Sequence, residues 1–90
     1  MFRNRRGTYI GSLDLNRAFG KTLREVRLEK GLTHEVLAER AGLHPTFISL
    51  LERGGRMPSL NTVFLLARAL GESPSALVAK LEKLKAAPQP

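Results

Sequence analysis

The stretch that decides the fold is Thr33-His34-Glu35-Val36-Leu37-Ala38-Glu39-Arg40-Ala41-Gly42-Leu43-His44-Pro45-Thr46-Phe47-Ile48-Ser49-Leu50-Leu51-Glu52-Arg53-Gly54. Apolar residues recur in it at helical spacing, Val36, Leu37, Ala38 and Ala41 in its first half and Phe47, Ile48 and Leu51 in its second. Thr33 suits an N-cap, where a hydroxyl accepts from an unpaired backbone N–H. Gly42 suits the left-handed position that ends a helix. Pro45 fits the first turn of a new one, where its missing donor is not needed. The reading is two helices of about eight to ten residues joined by a sharp turn, a helix-turn-helix.

On either side the chain reads as further helix. Leu15, Phe19, Leu23 and Val26 recur at spacings of three and four and line one face of a helix starting near Leu13 to Asn16 and ending at Gly31. Gly20 inside it costs about 1 kcal/mol relative to Ala, which implies close packing there or a later start. After the Gly54–Pro58 loop, Ser59 caps a fourth helix with Leu60, Val63, Leu66, Ala67 and Leu70 inward. Phe64 and Leu65 are apolar too, so this helix is expected to be buried on more than one side. Ser73-Pro74 opens a fifth helix bearing Leu77, Val78, Leu81 and Leu84. The fold class expected is all-α, a compact five-helix bundle over residues 13–85. Residues 1–12 form a flexible basic arm around Arg3, Arg5 and Arg6, and residues 86–90 a disordered tail.

Ninety residues make one small domain. The net charge is +7, and successive thirds of the chain carry +5, 0 and +2. Such a balance favours a polyanionic partner, nucleic acid first. With no cysteine there are no disulfides or thiolate metal sites. No apolar run approaches the roughly 18–20 residues of a membrane span, and the N-terminus lacks the pattern of a secretory signal. A soluble cytoplasmic protein is expected. His34 and His44 stand alone as potential metal ligands, so neither a metal nor a cofactor is expected. No nucleophile–base pair or glycine-rich phosphate loop appears, and no enzymatic activity is expected.

The chain resembles the phage repressor and Cro-like helix-turn-helix family of bacterial DNA-binding proteins. The resemblance rests on the 33–54 segment together with Arg27, Glu52-Arg53-Gly54, Pro58-Ser59, Leu66-Ala67 and Leu70-Gly71. It implies that the helix opening at Pro45 enters the major groove of double-stranded DNA while the preceding helix crosses the backbone. It further implies base contacts from Pro45, Thr46, Ser49 and Leu50, and a structural ion pair between Arg27 and Glu52. Candidate phosphate contacts are Thr33 and His34 at one helix N-terminus, His44 at the next, then Arg53, Arg56 and Ser59. Where relatives often read bases with Gln, Asn or Arg, this chain has small hydroxyls and apolar groups, so DNA shape or Arg53 carries more of the specificity.

Relatives commonly bind as two-fold dimers, and Leu77, Val78, Leu81 and Leu84 are the candidate dimer interface. The expected function is a sequence-specific transcriptional regulator, a dimeric repressor or controller-type autoregulator. The alternative is an antitoxin-like adaptor that binds a protein partner and DNA only secondarily.

Overall fold

The computed structural model describes residues 2–3, 9–10 and 12–85. It consists of five helices, α1 (Ser12–Glu29), α2 (His34–Ala41), α3 (Pro45–Glu52), α4 (Leu60–Leu70) and α5 (Pro74–Lys85). Beside them is a short antiparallel ladder of β1 (Phe2–Arg3) with β2 (Tyr9–Ile10), pairing Phe2 with Ile10 and Arg3 with Tyr9. The expectation of a flexible arm over residues 1–12 did not foresee this backbone pairing. The side chains of that arm, and the tail at 86–90, lie outside the described residues.

Each helix boundary has a local cause. Thr33 Oγ1 accepts the Val36 N–H at 3.1 Å and caps α2. Gly42, at φ 71°, ends α2: its N–H donates to the Glu39 carbonyl, and the Leu43 N–H to the Ala38 carbonyl. This doubly bonded exit turns the chain within three residues, and only a residue without Cβ adopts that φ freely. Ser59 caps α4 by accepting the Thr62 N–H at 3.0 Å, and Ser73 accepts the Ala76 N–H at 3.1 Å ahead of Pro74.

The core gathers Phe19, Leu23 and Val26 of α1, Leu37, Ala38 and Ala41 of α2, and Ile48 and Leu51 of α3. Leu66, Ala67 and Leu70 of α4 and Leu77 of α5 complete it. α3 lies on α1 and α2, while α5 closes the opposite side against α1 and α4. Gly20 marks the closest approach of α1 to α3, since a Cβ there would lie 2.5 Å from the Glu52 carbonyl oxygen and against that of Leu51. Of the two explanations for an internal glycine, close packing is the one realised, because α1 starts at Ser12.

Two expectations about burial are corrected. Leu60 is 72% exposed and Phe64 53% exposed, so α4 is buried along one side only and presents the other to solvent. A helix apolar on more than one side fixes no phase, and here the Leu66–Ala67–Leu70 side faces inward. Val36, placed on the apolar side of α2, is also exposed, with Leu37, Ala38 and Ala41 taking the core positions.

Candidate nucleic-acid interface

α3 is held by its inner face and its two ends. Ile48 and Leu51 are fully buried and Phe47 packs against the core. The opposite side carries Thr46, exposed, with Pro45, Ser49 and Leu50 half-buried around it. The four residues expected to meet base edges thus share the outer part of one short helix. Leu50 is the most constrained of them, because its Cδ1 lies 2.5 Å from where a Cβ on Gly55 would stand. The bare backbone after α3 leaves room for that side chain.

The entrance to α3 is capped by a histidine. His44 Nδ1 accepts the Thr46 N–H at 3.1 Å. An imidazole accepting through Nδ1 carries its proton on Nε2 when neutral, so the outer edge of His44 remains a donor.

The exit of α3 is fixed by a buried carboxylate. Arg27 donates Nε–H to Glu52 Oε2 at 2.6 Å and an Nη2–H to Oε1 at 3.1 Å, while its Nη1 donates to the Leu32 carbonyl at 2.8 Å. The planar guanidinium suits this two-pronged grip. His34, the first residue of α2, places Nε2 3.0 Å from the same Glu52 Oε1. Burial by itself would raise the Glu52 carboxyl pKa. The hydrogen bonds from Arg27 and His34, together with the charge of the Arg27 guanidinium, outweigh burial and hold it below the ordinary carboxylate value. One acidic group thereby joins α1, α2 and α3. The Arg27–Glu52 pairing follows the resemblance; the link to His34, eighteen residues from Glu52, has no local sequence signal.

The remaining candidates occupy different settings. Thr33 is exposed at the start of α2 with its hydroxyl engaged in capping. Arg53 is exposed just beyond α3, and Arg56 sets its guanidinium 5.8 Å from the centroid of the Phe47 ring. Ser59 accepts the Thr62 N–H and donates its own proton to Thr62 Oγ1, so its hydroxyl already has two partners. Leu77 is a correction: it is buried in this chain's own core, which removes it from any surface. Val78 is exposed, and Leu81 and Leu84 are half-buried. Away from α3, Glu72 receives Lys80 at 3.3 Å and Lys30 at 3.4 Å, tying α5 to the end of α1. Those hydrogen bonds, the one from Lys80 foremost, lower the Glu72 carboxyl pKa.

Among the described residues no group of three or more His, Cys, Asp or Glu is arranged to hold a metal ion, and no helix is long and apolar enough to cross a membrane.

Comparison with known proteins places this geometry. A helix-turn-helix family model matches residues 23–77. The chain is 41% identical over 66 residues to an uncharacterised HTH-type transcriptional regulator of Sinorhizobium fredii, covering 73% of this chain and 86% of that protein. It is similar to the crystal structure of the restriction-modification controller protein C.AhdI from Aeromonas hydrophila, with a TM-score of 0.67 and 42% identity over 69% of this chain and 94% of that one. It is also similar to the controller protein C.Esp1396I bound to a 25 base pair operator site, with a TM-score of 0.74 and 31% identity over 79% of this chain and 93% of the other. From the matched segment, its two capped helices and the outward side of the second, the chain belongs to the helix-turn-helix family of the phage repressor and Cro-like type.

Proposed function

We propose that this protein is a sequence-specific, double-stranded DNA-binding transcriptional regulator. The observation that carries the reading is the outer side of α3, where Thr46 is exposed while Ile48 and Leu51 behind it are fully buried. A helix so oriented lies in the major groove with its N-terminal residues on base edges. The operator-bound relative has the same fold. In this reading Thr46 and Ser49 hydrogen-bond to bases, and Leu50 and the Thr46 methyl pack on thymine methyls. Pro45 approaches the base edges without donating a hydrogen bond. Arg53, Arg56, the outer edge of His44 and the starts of α2 and α4 at Thr33, His34 and Ser59 track phosphates, which position the protein without specifying sequence.

The protein works as a homodimer in this reading. The operator in the related complex spans 25 base pairs, roughly 85 Å at about 3.4 Å per step, and the longest dimension of the described residues is 40 Å. More than one copy is needed to read such a site. With Leu77 committed to the core, this reading assigns to the partner copy exposed Val78 and half-buried Leu81 and Leu84 of α5, with exposed Leu60 and Phe64 of α4. The action is that of a repressor or controller-type autoregulator in the cytoplasm.

Selection of bound sequences from a random duplex pool, with sizing of the complex, tests the reading. A two-fold related consensus with half-sites about 34–36 Å apart is expected. Equal affinity for every duplex would overturn it.

A further inference from the structure

We propose that His34 is a proton-dependent phosphate ligand, so that binding to DNA takes up a proton at this residue and strengthens as the solution becomes more acidic. The inference rests on the DNA-binding reading and adds to it a property of one side chain. Its basis is which ring atom is already in use. Nε2 of His34 stands 3.0 Å from Glu52 Oε1, and an ionised carboxylate offers only acceptors, so Nε2 must carry a hydrogen. In the neutral ring that leaves Nδ1 as a bare lone pair. A phosphate oxygen is also an acceptor, and two acceptors repel. Any direct contact of His34 with a DNA phosphate therefore needs Nδ1 protonated, which makes the ring an imidazolium donating one hydrogen to Glu52 and one to DNA.

The surroundings suit that role. The His34 side chain is 33% exposed, whereas that of Glu52 is 3% exposed, so the ring is anchored on a buried carboxylate while a third of its surface meets solvent. The charges facing the ring are Glu52 of α3 and, on the far side of that carboxylate, Arg27 of α1. On α2 itself Glu35 follows in the chain, and the N-terminal dipole of the helix adds partial positive charge. A phosphate at Nδ1 supplies the second negative partner that the imidazolium lacks in the free protein. His44 behaves differently: its Nδ1 accepts the Thr46 N–H, so its Nε2 is a donor in the neutral state and needs no added proton to meet a phosphate.

The test is operator affinity by fluorescence anisotropy from about pH 8 to about pH 6 at fixed salt, the range in which imidazole changes charge, with the intact protein and with His34→Gln. Uptake of one proton raises the affinity of the wild type by at most about tenfold per pH unit, and in His34→Gln the dependence is expected to vanish while binding persists. In parallel, the imidazole proton signals of wild-type His34 are followed by NMR with and without the operator duplex, and the titration midpoint is expected to rise on binding. Salt-sensitive binding of the wild type that is indifferent to pH would overturn this inference alone. So would a midpoint unmoved by DNA, or a pH dependence that survives in His34→Gln. Failure to bind duplex DNA at any pH would instead overturn the DNA-binding reading, and this inference with it.

Discussion

Replacing Gly20 with alanine separates what the local sequence recommends from what the assembled fold permits. In a helix interior the exchange is ordinarily favourable by about 1 kcal/mol. Here the added methyl would meet the Glu52 carbonyl oxygen at 2.5 Å and its carbon at 2.8 Å, with the Leu51 carbonyl oxygen closer still. These are backbone atoms at the last turn of α3, so no side chain can swing aside, and the helix as a whole must move outward by several tenths of an ångström. Overpacking of this kind costs about 1–3 kcal/mol. Taking the upper end because backbone is involved, and subtracting the helix gain, the net loss is about 2 kcal/mol. For a domain of this size that lowers Tm by about 8–16 °C. Thermal unfolding followed by circular dichroism reads it directly, and operator affinity should fall as well, because the displaced helix is the one proposed to enter the groove. A Gly20→Ala protein with unchanged or raised Tm would refute the argument that α3 rests on the bare backbone of α1.

Glu52→Ala strands the Arg27 guanidinium among buried neighbours and is expected to cost about 3–5 kcal/mol in denaturant unfolding. Because the folded-state pKa of Glu52 is lowered, its contribution to stability is complete above the ordinary carboxylate value of 4.5 and is lost as pH falls through the folded value. Acid unfolding of Glu52→Gln should therefore show a shallower pH dependence below 4.5 than the wild type. Arg53→Ala is expected to weaken all duplexes alike and reduce the salt slope by about one, whereas Ser49→Ala relaxes selectivity at one operator position. Both are checked by repeating the sequence selection with each variant. Leu77→Ala opens a core cavity and should cost about 2–5 kcal/mol. Phe64→Glu, on an exposed side chain, should change the stability of the single chain by no more than about 0.5 kcal/mol while dissociating the dimer in sedimentation.

The features legible from sequence are those with local causes. Thr33, Gly42, Pro45, Ser59 and Ser73 each act on backbone groups within five residues, so their identity alone marks where helices start and stop. The inward faces of α1 and α3 were legible because their apolar residues recur with a single phase. α4 is apolar on two sides, and only the packed fold decides that Leu66, Ala67 and Leu70 go inside while Leu60 and Phe64 stay out. Leu77 had the same ambiguity on α5. The histidines illustrate the other limit. At His44, a residue just before Pro45, capping was foreseeable from position. At His34 the partner that matters is Glu52, brought within 3.0 Å only by the way α2 crosses α3, and no spacing rule along the chain encodes that crossing.

The carboxylate at Glu52 also bears on how such a protein can diversify. The clamp sits at the end of α3, in the interior, while Thr46 and Ser49, the residues proposed to meet base edges, stand on the outer flank nearer its beginning. Thr46 and Ser49 can be exchanged for other side chains without disturbing the grip that sets the angle of the helix. Under the proposed function, new operator preferences are thus open to this scaffold by single replacements, with the seating of α3 on the bundle inherited unchanged.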